Sequence, residues 1–498
     1  MISRDLAAAR EKFDVVIVGG GFYGATLLLE AARRGLRSIL LEKADFGAGT
    51  SFNSLKIVHG GLRYLQHLDV MRFNQSVRER RWFLQAFPEL VTPLPCLMPL
   101  KRRATSRKLI LRVGLTLNDL LSWQRNSGVT PDRAIPPGKI LSREETERIF
   151  PRVNRDGLVG AALWYDAYAP DSNCLLLEIL RRACNLGATA LNYVEAVSLR
   201  QHANRIEAVS ALDHESGQAY EFAAGTVINA AGPQARLLAA KLDHDIPELF
   251  RPSIGWNVLV DRPALSGCAL ALTATRPRKH TYFLVPWKDK LLIGTGHAPW
   301  VGPARQPRLA MSLLTQFLDN INTLVPGLEL EYKDILRILL GFLPATKEGG
   351  MDNPSRPLIV DHGRHGGPIG LYSVSGAKFT TARLTAEKTL DRVAPRLPMT
   401  ENSEHRSSAS ALIGRFDYDW MPSADDNDWL IPLAELVANE SVVHLEDLVF
   451  RRTSIGDNPV RARVLAPRVC QLFGWDRERR FREIDAVEKS LNIERLLA

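Results

Sequence analysis

Gly19, Gly21 and Gly24 stand in a G-x-G-x-x-G spacing directly after the apolar, β-branched run Phe13–Val18, and Glu42 follows 18 residues past the last of them. Between a strand and a helix each glycine has its own use. Gly19 permits a tight turn, Gly21 lets the backbone approach a pyrophosphate, and Gly24 lets the helix pack close to the strand. The helix N-terminus offers unpaired N–H groups and the positive end of a dipole to the phosphates. Glu42 can accept hydrogen bonds from ribose hydroxyls, and its charge argues against a 2′-phosphate, hence against NADP.

A second stretch, Gly47-Ala48-Gly49-Thr50-Ser51 and then Asn53 to Tyr64 (NSLKIVHGGLRY), is rich in small donors and poor in bulk. It suits a second backbone cradle along a large flat ligand, which nicotinamide enzymes do not need there. The run GTSFNSLKIVHGGLRYLQ resembles the signature of the FAD-dependent glycerol-3-phosphate dehydrogenase family. Three more segments extend the resemblance in order along the chain: Ile228–Pro233 (INAAGP), Ser375–Thr381 (SGAKFTT), and His444–Thr453 (HLEDLVFRRT) with Phe473–Asp476 (FGWD). The resemblance implies FAD binding at Gly19, Gly21, Gly24, Glu42, Thr50, Ser51, Lys56, His59, Gly60, Gly61 and Leu62, joined by Ala196, Gly376, Lys378 and Thr380. A histidine beside two glycines, as His59 is, can anchor a flavin covalently, but nothing in the spacing requires it, and noncovalent FAD is expected.

The resemblance also implies oxidation of a secondary alcohol: a hydride leaves the carbinol carbon for flavin N5 while a base takes the hydroxyl proton. Lys378, His297, Arg63 and Asp361 are the candidates for catalysis, with Tyr64, Tyr282 and Arg383 as further local groups. Lys378 can hold an oxyanion or tune the flavin, and His297 can act as the base. The sequence departs from the family at four places. Leu343 in Gly341-Phe342-Leu343-Pro344 stands for an arginine, Asp361 for another, Asn257 for a histidine, and Asn173 in Asp171-Ser172-Asn173 for a third arginine. Lost cations weaken the pairing of a dianionic phosphate. The expectation is a substrate other than glycerol 3-phosphate, such as a related polyol, or a phosphate bound elsewhere. Two other readings stay open: an amine or amino-acid oxidase of the glycine-oxidase type, and a flavin-binding partner protein with little catalysis.

These residues need a scaffold. The run Phe13–Val18, a helix over 25–34 stopped at Gly35, and a strand over 37–41 read as the βαβ opening of a doubly wound parallel sheet. Residues 70–125 read as largely helical, interrupted by Pro93, Pro95 and Pro99, and 250–345 as a separate set of strands. The expected fold is α/β (α+β): a Rossmann-like FAD-binding domain with an inserted antiparallel-sheet substrate domain and a helical C-terminal domain. The oxidoreductase region spans 1–395, with nucleotide-binding segments near 10–95, 150–245 and 350–395 and sheet segments near 96–149 and 246–349. Residues 396–498 form the C-terminal domain, beginning with a linker-like stretch to about 430.

Composition supports a globular chain: of 498 residues 45% are apolar and 24% charged, which excludes disordered, collagen-like and coiled-coil classes. No apolar run is long enough to span a bilayer, and Met1–Lys12 has no apolar leader core. The five cysteines form no C-x-x-C and read as reduced thiols of a cytoplasmic protein without a metal site. The net charge of +9 is unusual, and segments such as 99–112, 451–452 and 477–482 carry much of it, which points to a surface partner more than to an anionic substrate. Lys101, Arg102, Arg103, Arg107, Lys108 and Arg112 interleave with Leu109, Ile110, Leu111, Val113 and Leu115. That stretch reads either as a solvated helix face or as a contact with the inner face of the cytoplasmic membrane, and the electron acceptor is expected to be quinone or oxygen. No motif points to nucleic acid, and an oligomer is compatible with the sequence.

Overall fold

A computed structural model describes residues 1–65, 67–102, 105–241, 245–274, 280–397 and 428–498. Its first sheet has six strands in the order Leu358–Asp361, Leu371–Ser375, Val227–Asn229, Val15–Val18, Ser38–Leu41 and Thr189–Leu191, all parallel except the first. Val15–Val18 (VVIV) and Ser38–Leu41 (SILL) are buried throughout, as strands covered on both faces must be. The period of two then sorts their side chains. Val15, Ile17 and Leu40 face a helical layer that includes Phe22–Arg33, Ser172–Asn185 and Ala382–Val393. Val16, Val18, Ile39 and Leu41 face the other way.

On that second face the structure departs from a doubly wound plan. The covering layer is a four-stranded sheet, ordered Lys12–Phe13, Ala219–Ala224, Arg205–Asp213 and Val194–His202, whose Leu199, Ile206, Val209 and Phe222 meet the strands from below. The reason is local. Ala203-Asn204 adopts left-handed backbone (φ +46 and +60), the geometry of a tight hairpin, so the chain turns back as a meander and forms no crossover helix there.

The second large sheet has nine strands. Along its path lie Ile335–Ala345, Arg251–Val260, Lys290–Pro299, His280–Trp287, Ala269–Ala274, Thr92–Lys101, Leu158–Tyr168 and Ile57–Val58, with Lys139–Leu141 beside Leu158–Tyr168. The pairing is antiparallel but for the contact of Ala269–Ala274 with Thr92–Lys101. One face packs on the helix Met311–Leu324 through Phe317, Leu314 and Ile321. The prolines expected to break a helical region lie instead inside the strand Thr92–Lys101. Pro93, Pro95 and Pro99 share one parity, so their missing N–H groups fall on one edge, and that side pairs only at Cys96 and Leu97.

The last unit holds the helices Ile431–Asn439, Pro459–Val469 and Arg477–Leu491 around Leu433, Leu445, Leu465 and Val469. The linker-like stretch 396–430 falls almost wholly outside the described residues.

Candidate cofactor and substrate site

The glycine turn has the tight geometry that its spacing predicts. Gly19 has φ +108, and a Cβ there would stand 2.7 Å from the Ala230 carbonyl oxygen. A Cβ on Gly24 would stand 1.8 Å from the Gly19 oxygen, so the helix can lie this close to the turn only with glycine. The helix itself begins at Phe22, earlier than the expected 25, with Gly21 as its N-cap. The Glu42 carboxylate accepts from the N–H of Gly20 at 2.5 Å and of Ala44 at 2.9 Å, and burial pushes its carboxyl above the ordinary range.

The second stretch folds over the same helix end. Ser51 Oγ accepts from Phe22 N–H at 3.1 Å, while Thr50 Oγ1 donates to the Phe342 carbonyl at 3.0 Å, so this loop joins the helix N-terminus to the nine-stranded sheet. The turn carrying Gly376 closes from a third side. A Cβ at Gly376 would meet the Tyr23 hydroxyl at 2.0 Å, and that hydroxyl donates to the Lys378 carbonyl at 3.1 Å. Burial pushes the Tyr23 hydroxyl up to about 12, and Phe22 stacks on Phe379 with centroids 4.8 Å apart. Thr380 is buried in the same turn, and Ala196 lies half-buried on the strand Val194–His202. A glycine-lined turn, a helix N-terminus with glycine as its N-cap and an acid at the ribose position fit an adenine dinucleotide.

Beyond the turn, cations gather around one ring. Lys378 Nζ donates to the Tyr64 hydroxyl and lies 4.7 Å from that ring's centroid, and the Arg72 guanidinium lies 4.9 Å from the same centroid. Arg63, exposed on the single turn Leu62–Leu65, has no ion-pair partner among the described residues. Leu62 packs beneath, beside Leu65 and Phe73.

His59 lies on the same run. Its Nδ1 stands 3.2 Å from Asp166 Oδ2, while Oδ1 accepts the Gly60 N–H at 2.6 Å. Arg80 donates to the Tyr165 carbonyl at 2.6 Å, and a Cβ at Gly60 would stand 2.0 Å from its Nη1. Gly61, at φ +86, has Ser76 where a Cβ would go. Burial pushes the Asp166 carboxyl up, and the hydrogen bond and charge of His59 together with Arg80 hold it below the usual range. Lys56 is buried, its Nζ donating to the Phe52 carbonyl and to Ser172 Oγ. Sequence reasoning missed Asp166, Arg80 and Arg72. None belongs to a spacing motif, and Asp166 lies 107 positions from the histidine it serves.

The remaining candidates disperse. His297 faces Gly255 across the sheet, its Nε2 2.8 Å from Ser253 Oγ. Asn257 donates to the Asn53 carbonyl at 2.8 Å and accepts from Thr295 Oγ1 at 2.9 Å, so the amide anchors the second loop to the sheet. Leu343 covers Gly255 on that same face. Asp361 caps the turn His362–His365 through Gly363 N–H and stands 3.5 Å from Arg364 Nε. Asn173 donates to the Arg451 carbonyl beneath the C-terminal helices. Tyr282 accepts from Asn320 on the opposite face, and Arg383 is clasped by Glu79 and Glu387. The expectation that all four exchanged positions alter the substrate face therefore needs correction. Leu343 and Asn257 lie on the sheet face under the cradle, whereas Asp361 and Asn173 have capping and inter-unit roles.

Comparison with known proteins agrees with this geometry. The model of the family described as "FAD dependent oxidoreductase" matches residues 14–392. A glycerol-3-phosphate dehydrogenase of Mycobacterium leprae is 29% identical over 95% of this chain and 87% of its own. The solved glycerol-3-phosphate dehydrogenase of Bacillus halodurans, complexed with FAD, shares the fold with a TM-score of 0.72 at 22% identity, covering 98% of this chain and 96% of that one. The glycine oxidase of Geobacillus kaustophilus matches less, with a TM-score of 0.54 at 21% identity over 78% of this chain and 99% of its own. The chain belongs to the FAD-dependent oxidoreductase family, and within it resembles the glycerol-3-phosphate dehydrogenases.

Proposed function

We propose that the protein oxidises the secondary alcohol of a small polyol carrying an anionic group, with noncovalently held FAD, and that glycerol 3-phosphate is the first substrate to test. The observation that carries this reading is Lys378 seated on the Tyr64 hydroxyl, with the exposed Arg63 next to Tyr64 in the chain: these two offer a phosphate what Leu343 no longer does, while Arg72 over the same ring is paired with Asp69. The reading goes against the charge argument made from sequence, which pointed to a surface partner more than to an anionic substrate.

Gly19, Gly21, Gly24, Glu42, Ser51 and Gly376 hold the cofactor, which when bound supplies the hydride acceptor at flavin N5. Lys378 and Arg63 grip the anionic group, and Tyr64 orients it. His59 takes the hydroxyl proton: its ring is half-exposed, and Asp166 holds Nδ1 so that Nε2 is left as the acceptor. His297, tied to Ser253, shapes the sheet face. Steady-state kinetics test the cluster. Lys378→Ala should lower kcat/KM for glycerol 3-phosphate by about tenfold to a hundredfold, the loss of one charge-assisted hydrogen bond, with flavin content unchanged. An unchanged kcat/KM would refute it.

A peripheral lipid contact is part of the reading. Val113, Leu117 and Leu120 are exposed on the helix Thr105–Leu121, followed by exposed Trp123, and Leu68, Val70 and Met71 are exposed close by in the chain to Tyr64. Leu121 packs into the cluster that includes Tyr64, so this apolar surface adjoins the substrate cluster. That placement favours a lipid-soluble acceptor such as quinone over oxygen. The side chains of 103–111, where Arg103, Arg107 and Lys108 fall, lie outside the described residues.

A further inference from the structure

The loop 45–53 has two sides. One meets the nucleotide turn: Gly47 N–H donates to the Gly20 carbonyl at 3.0 Å, and Ser51 Oγ takes the Phe22 N–H. The other is fastened to the helical C-terminal unit by three ties. Buried Asp45 accepts from both terminal nitrogens of Arg452, at 2.7 and 2.8 Å, and from Arg451 Nε at 2.5 Å. The Phe52 ring packs against the apolar core of that unit, and the Arg337 guanidinium lies between rings, 5.1 Å from Phe52 and 4.7 Å from Phe450. Arg337 also donates to the Gly456 carbonyl at 3.1 Å. Asn173 forms the third tie, donating to the Arg451 carbonyl while its own oxygen stands 2.5 Å from where a Cβ on Gly47 would be. The residues 451–452, read from sequence as surface charge, are thus spent inside the molecule. A carboxylate buried as deeply as Asp45 is tolerable only while such partners remain.

We propose that the C-terminal unit is a working part of the cofactor site. Arg451 and Arg452 act through Asp45, and Phe450 acts through Arg337 and Phe52, to hold Ser51 over the N-terminus of the helix Phe22–Arg33. They are positioning residues, and they set how tightly FAD is retained. The proposal rests on the reading that FAD is bound noncovalently.

The test is the rate of FAD release from diluted holoenzyme, followed by the rise of free-flavin fluorescence. Arg451→Gln and Phe52→Ala should each release FAD about tenfold faster, the scale of one lost charge-assisted bond or ring contact. Leu491→Ala loosens the same helical core away from the loop and should lower Tm without changing release. Arg451→Lys should recover part of the retention. If Arg451→Gln does not fold, Phe52→Ala carries the test alone, since it leaves every charge in place. Release that is unchanged in the loop variants, or that follows Tm alone across all of them, overturns the proposal. A wild-type protein from which denaturant frees no FAD refutes the noncovalent reading itself, and this inference with it.

Discussion

Lys378 and Tyr64 are 314 positions apart and touch, and each belongs to a motif that sequence reading could single out. Their meeting was not legible, because contact between distant turns is a property of the fold. His59 is similar: the HGG run marks it, but Asp166, 107 positions away, fixes its ring. At this scale His59→Ala should lower kcat about a hundredfold or more while FAD is retained, as expected for loss of a general base. Asp166→Asn should fall between that variant and the wild type, and equal rates for wild type and His59→Ala would assign the proton elsewhere. Gly24→Ala should cost about 3 kcal/mol by thermal or denaturant unfolding, because its Cβ would overlap the Gly19 oxygen and push the helix off the turn. Asn257 shows the limit of reasoning by exchange: the lost histidine could be read, but not that its amide would tie Asn53 to the sheet.

Elements were legible where periodicity was strong. The βαβ opening follows from two apolar runs and a glycine turn; its helix starts three residues earlier, after the N-cap Gly21, and the first run splits at Asp14 into strands of two different sheets. The covering four-stranded sheet was not legible, because a hairpin at Ala203-Asn204 and a crossover helix both return the chain to the same side. Nor was Thr92–Lys101, since prolines argue against a strand until the free edge is known. One contact between elements makes a prediction about pH. His444 joins Glu215 on the turn after Arg205–Asp213 to Glu483 on Arg477–Leu491, at 3.0 and 2.7 Å. Burial pushes its imidazole down, but the bonds to both carboxylates outweigh burial and hold it up at about 10. A folded value above the unfolded one stabilises fully below the unfolded value, about 6.5, and the gain is lost as pH rises towards 10. Wild type should therefore exceed His444→Gln by about 2 kcal/mol in acid, with the gap closing through that window. A gap independent of pH would contradict the pairing.

Across the whole molecule the +9 excess does not come from the buried arginines, whose charge is matched inside: Arg451 and Arg452 hold Asp45, and Arg181 joins Glu178 to Glu440. Lys378 and Arg63 near Tyr64 belong to the exposed part. No helix among the described residues is long and apolar enough to cross a membrane. Vesicles with anionic headgroups should sediment the wild type and not Leu117→Glu/Leu120→Glu, and wild type left in the supernatant would remove lipid from the account. Anaerobic titration of the holoenzyme decides the substrate class. Glycerol 3-phosphate should bleach the flavin's visible absorbance, unphosphorylated glycerol should do so far more slowly, and Lys378→Ala should erase most of the difference. Bleaching by glycine or other amines, or equal rates with neutral and phosphorylated polyols, would contradict the proposed class.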